Sequence, residues 1–227
     1  MKQAPENVPM IIVEGNVGVG KSTFLNYLHQ HLNIDVVFEP NQLWQNVDGY
    51  NLLEQFFLNQ KRWAYTCQTY ILMTRIDQIL AQICDLKKES CLIERSVYSG
   101  RYCFAQVAKE IGLMNDLEWS LYKKLWDREI AKVDQVPSGF IYLKASAQIC
   151  LKRIEQRGRF EEKPITLDYL KRIEEKYENW FIKKEGIDAK IANIPVLVLD
   201  FTDDLSENQR MQEQYLSPIK IFLTKLK

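Results

Sequence analysis

The sequence predicts a single α/β domain, with a parallel sheet buried between helices, and three observations point to it. Short apolar runs without polar alternation recur along the chain, as in strands covered on both faces. Segments of helical spacing separate those runs, the order that produces a parallel sheet. The first run leads into a glycine-rich loop and then a helix. No Ser/Gly/Pro-rich linker and no repeat divides the 227 residues, so one domain spans 1–227.

Met10–Glu14 is the first strand, apolar until its last residue, and it runs into Gly15. Lys21–His31 follows as a helix, with Phe24, Leu25 and Leu28 on one face. Asp35–Glu39 is the second strand, stopped by Pro40. Leu52–Lys87 has helical spacing and reads as two helices broken near Asn59–Trp63. Cys91–Glu94 is the third strand, followed by helices over Ser99–Ile111 and Asp116–Val133. The turn Pro137-Ser138-Gly139 introduces a fourth strand, Phe140–Leu143. Ala147–Gln156 is a helix ending at Arg157-Gly158, and Leu167–Glu185 is another. Pro195 precedes the fifth strand, Val196–Leu199, and Ser206–Lys225 closes with mostly helical spacing.

Hydrophobic residues (46%) are enough for a core and too many for a disordered chain. Lys plus Arg (30) equals Asp plus Glu (30), so the chain lacks the broad basic field of a nucleic-acid or anionic-membrane binder. The apolar runs fall far short of the roughly 20 residues that span a bilayer. No signal-peptide core follows Met1. A soluble, cytoplasmic protein without nucleic-acid or membrane partners is expected. Five cysteines, odd in number and without CxxC spacing, read as buried thiols in a reducing compartment. The two histidines, His29 and His31, are too close to share a helix face, so zinc chemistry is not expected.

Gly15-Asn16-Val17-Gly18-Val19-Gly20-Lys21-Ser22, with Thr23 next in the helix, fits G-x-x-x-x-G-K-[ST] at every fixed position. Average composition would produce such a match in a chain this long about once in a hundred. The strand before it and the helix after it are what the chemistry requires. Glycines let successive N–H groups turn inward onto phosphate oxygens at a helix N-terminus. Lys21 would reach the β- and γ-phosphates of a nucleoside triphosphate, and the Ser22 hydroxyl would coordinate Mg²⁺. A GTPase switch would carry N-K-x-D, which is absent. ABC-type and helicase ATPases carry an apolar run ending in Asp, whereas here the run ends in Glu94-Arg95-Ser96. Small-molecule kinases remain, and they need an acceptor-side base, an acid for the metal and a cationic lid.

Glu39, at the end of the second strand, stands where open α/β sheets present ligands, and could accept the proton of an attacking hydroxyl. Alone, it reads equally well as half of a surface pair. At the same edge Glu94 could hold Mg²⁺ or its waters, and Arg95 could clamp Glu39; a structural ion pair is the plainer reading of these two. Arg153, Arg157 and Arg159 surround Gly158 ahead of Glu161-Glu162, which suits a lid over about 153–164 that neutralises charge on the transferring phosphate. By itself that run is a solvated helix end. The loop, the strand-end carboxylates and the lid together favour the functional reading.

These motifs resemble the deoxyribonucleoside kinase family along nearly the whole chain. The resemblance rests on the glycine loop, Glu39-Pro40 with Trp44, Arg62-Trp63 through Gln68-Thr69-Tyr70 and Arg75. It continues through Glu94-Arg95-Ser96-Val97-Tyr98-Ser99, Arg157-Gly158-Arg159 with Glu161-Glu162, and Pro195–Asp200. It implies a P-loop kinase fold with a five-stranded parallel sheet and a short lid. It also implies γ-phosphoryl transfer from Mg-ATP to the 5′-hydroxyl of a deoxynucleoside, in a homodimer. Under it Glu39 is the base with Arg95 beside it, Glu94 serves the magnesium, and Gln68 reads the nucleobase edge. Phe104 and Trp44 wall the base and sugar, and Glu162 approaches the 3′-hydroxyl. Two departures stand out. Phe57 occupies the place of a tyrosine that touches the 3′-hydroxyl in relatives. Ser99-Gly100-Arg101 replaces Ser-Asp-Arg or Ser-Ala-Arg while Arg75 is kept, which directs the expectation to purine nucleosides, deoxyadenosine first, and deoxycytidine. The alternatives are a nucleoside monophosphate kinase of thymidylate type and a non-catalytic ATP-binding sensor.

Overall fold

Met10–Glu14 (β1) is the central strand of the sheet and is buried along its whole length, with both faces packed into the core. The computed structural model describes residues 8–83, 88, 90–133, 136–203 and 209–226. Among these, Asp35–Val37 (β2), Cys91–Glu94 (β3), Gly139–Lys144 (β4) and Val196–Asp200 (β5) join β1 in one sheet of order β2-β3-β1-β4-β5. Every pairing is parallel, with Ile12 opposite Ile93 on one side and Phe140 on the other. The chain leaves β1 for the β2 edge, returns through β3, and resumes beyond β1 at β4. That reversal opens a crevice at the carboxyl ends of β1 and β3, the place where such sheets bind ligands. Val13 and Glu94 are register partners, so the loop after β1 and the acid ending β3 emerge side by side.

Helices cover the sheet. Lys21–His31 (α1) buries Phe24, Leu25 and Leu28, as its spacing requires. Asn41–Gln45 (α2), Leu52–Leu58 (α3) and Gln60–Ile83 (α4) form one wall of the crevice. Val97–Ser99 (α5) passes through a π-helical stretch, Gly100–Ala105, into Gln106–Glu110 (α6). Asp116–Ile130 (α7) starts at a capping box between Asn115 and Glu118. Ala147–Arg157 (α8) ends at Gly158, whose φ of 67° stops the helix, and a 3₁₀ turn follows at Phe160–Glu162. Leu167–Glu178 (α9) is capped by the Thr166 side chain and continues as a π-helical stretch, Asn179–Lys183. Ala189–Ala192 (α10) and Gln209–Lys225 (α11) complete the described elements. One apolar cluster lies along the sheet. A second, around Leu72, Ile76, Tyr122 and Trp126, anchors α4 against α7 and so fixes the wall facing the crevice.

All five expected strands are present, with one correction that matters. β2 ends at Val37, so Glu39 stands beyond the strand. Its N–H bonds the Glu94 carboxylate at 3.2 Å instead of a ladder carbonyl, and Pro40 has no N–H to offer. The long helical segment breaks at Asn59 as expected, and its end at Cys84–Lys87 lies outside the described residues. The segment expected over Leu167–Glu185 changes to π-helical winding after Glu178 and stops at Lys184, which has φ 61°. Ser206–Asn208, at the expected start of the last helix, also lie outside the described residues. Cys67, Cys91, Cys103 and Cys150 are buried free thiols. Among the described residues no helix is long and apolar enough to cross a membrane.

Candidate active site

The glycine loop is shaped by close packing. Gly15, Gly18 and Gly20 have φ of 152°, 79° and 107°. A Cβ on Gly18 would lie 2.5 Å from the Cys150 carbonyl oxygen and 2.6 Å from Ile154 Cγ1, so no other residue fits. Asn16 braces the loop on α9, donating from Nδ2 to the Leu170 carbonyl at 2.8 Å. Lys21 Nζ donates to the carbonyls of Gly15 (3.1 Å) and Asn16 (2.9 Å) inside the loop. Burial, then the charge of Arg95, lowers its pKa from 10.5 to about 8, although Glu39, Glu94 and Glu14 pull the other way. An anionic phosphate entering the loop would stabilise the charged form.

Ser22 Oγ donates to Glu94 Oε1 at 2.6 Å, and Glu94 Oε2 accepts the Glu39 N–H. A hydroxyl and a carboxylate held together at the mouth of a phosphate loop are the hard oxygen donors that suit Mg²⁺. Glu39 Oε1 accepts from Arg75 Nη2 and stands 3.7 Å from Arg95 Nε. Burial alone would raise the pKa of this carboxylate. Arg95, Arg75 and Lys21 outweigh it and hold Glu39 below its ordinary value, hence ionised at neutral pH.

Arg95 has a left-handed backbone, φ 61°, at the end of β3. The turn lets Ser96 offer both N–H (2.9 Å) and hydroxyl (2.5 Å) to Glu14 Oε1, while Tyr177 donates to Glu14 Oε2 at 2.9 Å. The Arg95 side chain donates to the Gly15 carbonyl at 3.3 Å and lies over the Phe104 ring at 4.5 Å. Arg75 donates from Nη1 to the Ser96 carbonyl at 3.2 Å and faces the Trp44 ring at 5.2 Å, while its buried Nε has no partner among the described residues. A Cβ on Gly100 would sit 3.3 Å from Arg75 Nη1, so Gly100 leaves room beside that guanidinium.

These groups border one cavity of about 280 Å³. It is lined by the loop residues Val17, Gly18, Gly20, Lys21, Ser22 and Thr23, and by Trp44, Phe57, Gln68 and Phe104. Glu39, Arg75, Glu94, Arg95, Gly100, Arg157, Arg159 and Glu162 line the same cavity. Gly15, Asn16 and Val19 support the loop from behind. The lid is internally paired: Arg157 grips Glu162 in a bidentate contact (2.7 and 2.8 Å from Nη2), and Arg159 reaches it at 3.4 Å.

Arg153 is not among the residues lining this cavity. Its guanidinium donates to the carbonyls of Val19, Phe201, Thr202 and Asp203 and tightens the back of the loop. Together with Arg157, Gln156, Phe201 and the loop residues Gly18, Gly20 and Thr23, it borders a second cavity of about 300 Å³. Sequence reasoning missed Asn41, Cys67, Tyr169 and the apolar lining residues Leu53, Phe56, Ile71 and Ile165. Tyr169 carries the cavity's phenol; burial raises its pKa, so it remains a protonated donor. Its hydroxyl makes no hydrogen bond among the described residues. The missed signal was its place on the amphipathic face of α9, directly after the lid.

The model of the family described as "Deoxynucleoside kinase" matches residues 11–224. Deoxycytidine kinase 2 of Gallus gallus is 35% identical, over 94% of this chain and 90% of its own length. A probable deoxycytidine kinase of fowlpox virus is also 35% identical, over 95% and 88%. Mitochondrial deoxyguanosine kinase of Xenopus laevis is 33% identical, over 96% and 91%. The expected resemblance, fold and enzyme class therefore hold, and the chain belongs to the deoxynucleoside kinase family.

Proposed function

We propose that the chain transfers the γ-phosphoryl group of Mg-ATP to the 5′-hydroxyl of a deoxyribonucleoside in nucleotide salvage. Its acceptors are deoxycytidine and purine deoxynucleosides, deoxyadenosine first among the purines. The observation that carries this reading is the ionised Glu39, fixed by Arg75 and Arg95 in the same cavity as the phosphate loop and Gln68. A nucleoside with its base edge at Gln68 and its sugar between Trp44 and Phe104 brings its 5′-hydroxyl to Glu39. The carboxylate takes the hydroxyl proton as the 5′-oxygen attacks Pγ, the bond from Pγ to the β–γ bridging oxygen breaks, and ADP leaves. Lys21, Arg95, Arg157 and Arg159 stabilise the charge spread over the transferring group. Ser22 and Glu94 would hold Mg²⁺, which draws charge from the phosphate oxygens when bound.

Base choice follows from Arg75 and Gly100. Arg75 is a fixed donor in the wall, with space beside it, which suits the ring nitrogens of adenine, guanine or cytosine and penalises thymine. The names of the relatives, deoxycytidine and deoxyguanosine kinases, agree with a pocket that takes both ring sizes. A homodimer acting in the cytoplasm completes the reading. Leu117 and Leu121 of α7 and Met73 of α4 are exposed apolar side chains available to such an interface.

The test measures ADP release with Mg-ATP and each of the four deoxynucleosides, with thymidine monophosphate as a further acceptor. Turnover with deoxyadenosine and deoxycytidine above thymidine is expected. Release only with the monophosphate, or with no acceptor at all, would overturn the reading.

A further inference from the structure

The 3₁₀ turn Phe160–Glu162 carries two adjacent carboxylates, both about 8% exposed, and they point to different parts of the site. Glu162 is gripped by the lid arginines. Glu161 Oε1 instead accepts from Gln45 Nε2 at 2.5 Å. Gln45 is the last residue of α2, the helix that begins two residues after Glu39 and carries Trp44. Neither Gln45 nor Glu161 lines the cavity. A buried carboxylate bonded to a neutral amide is a poor way to stabilise a turn, because the amide returns little of the desolvation cost. What the bond does supply is a link between the helix beneath the acceptor and the turn that holds the phosphate-side arginines.

We propose that Gln45 and Glu161 are positioning residues that couple occupancy of the acceptor pocket to the placement of Arg157 and Arg159. The inference rests on the functional reading above. A nucleoside seated against Trp44 and Glu39 fixes α2; α2 fixes Glu161 through Gln45. The turn then presents Glu162, and with it Arg157 and Arg159, in one position rather than several. The triphosphate thereby meets a preorganised lid. Reciprocity requires each substrate to raise the affinity of the other by the same factor.

The test is equilibrium binding of a non-hydrolysable ATP analogue with Mg²⁺, with and without the deoxynucleoside that the parent turns over fastest. The parent should bind the analogue at least about fivefold more tightly with nucleoside present, within the usual range of such couplings. Gln45→Ala and Glu161→Ala should each bring the factor to within twofold of one, and the double variant should go no further. Analogue affinity without nucleoside should stay within twofold of the parent, which a merely destabilised fold would not do. Glu161→Gln keeps an acceptor oxygen for the Gln45 amide and should retain most of the factor. An active parent with a factor near one, or a Gln45→Ala variant that keeps the parent's factor, would overturn the coupling alone. A Glu161→Gln loss equal to that of Glu161→Ala would do the same. A parent that neither binds nor phosphorylates any deoxynucleoside would overturn the functional reading and the coupling with it.

Discussion

Replacing the loop lysine should stabilise the empty protein while it removes ATP use. Lys21 is 6% exposed, and its pKa is lowered from 10.5 to about 8, chiefly by burial. At 1.36 kcal/mol per pH unit, holding the ammonium there at neutral pH costs about 3 kcal/mol. Lys21→Met removes that penalty but also the hydrogen bonds to the Gly15 and Asn16 carbonyls, worth about 1 kcal/mol each. The net at pH 7 is a gain of about 1 kcal/mol, or about 2–4 °C in Tm for a chain of this size. Between pH 8 and 10.5 the unfolded lysine binds more protons than the folded one, so the stability of the parent rises with pH relative to the variant. The variant's advantage should vanish at about pH 9 and reverse above that pH. Denaturation of both proteins from pH 7 to 10, without nucleotide, measures this. A variant less stable than the parent at pH 7, by an amount that pH does not change, would refute the reasoning.

Arg75→Met should lower kcat/KM for purine deoxynucleosides far more than for thymidine and so shift the ratio toward thymidine, because it removes a fixed donor and offers the thymine methyl an apolar wall. Thymidine as the best parent substrate would contradict that role. The variant should also loosen Glu39, its ion-pair partner, so kcat with every acceptor should fall about tenfold or more. Gly18→Ala should destabilise the fold by at least about 1–3 kcal/mol, since alanine is strained at φ 79° and its Cβ meets the Cys150 carbonyl; urea denaturation reads this directly. The lowered pKa of Glu39 places the acid limb of parent kcat/KM below pH 4.5 wherever the protein remains folded. An acid limb that lies above pH 6 and is lost in Glu39→Gln would count against it.

Much of this site is legible in the residues because strand runs and the glycine loop are local patterns. Lys21, Ser22, Glu39, Glu94 and Arg95 all emerge at one sheet edge, and strand ends in a parallel sheet can be placed without knowing how helices dock. The pairing of Arg75 with Glu39 joins residues 36 apart, and it depends on how α4 lies against α7. Arg153 shows that a local pattern does not name a residue's hydrogen-bond partners. It stands one turn before Arg157 and reads as part of the same cluster, yet at its height on α8 the carbonyls of Val19 and Phe201 claim it. Glu14 reads only as the end of a strand, and its three hydrogen bonds come from Ser96 and Tyr177, far along the chain. The π-helical stretches have no distinct residue pattern, so their sequence reads as ordinary helix.

The central claim is that Glu39 is the base between donor and acceptor, and Glu39→Gln tests it most directly. The amide keeps the shape and can still meet Arg75, but it cannot take the proton of the 5′-hydroxyl. Single-turnover phosphoryl transfer to the best deoxynucleoside should fall about 10²–10⁴-fold, while affinity for a non-hydrolysable ATP analogue stays within about threefold of the parent. A fall of less than tenfold, with analogue binding intact, would contradict the account.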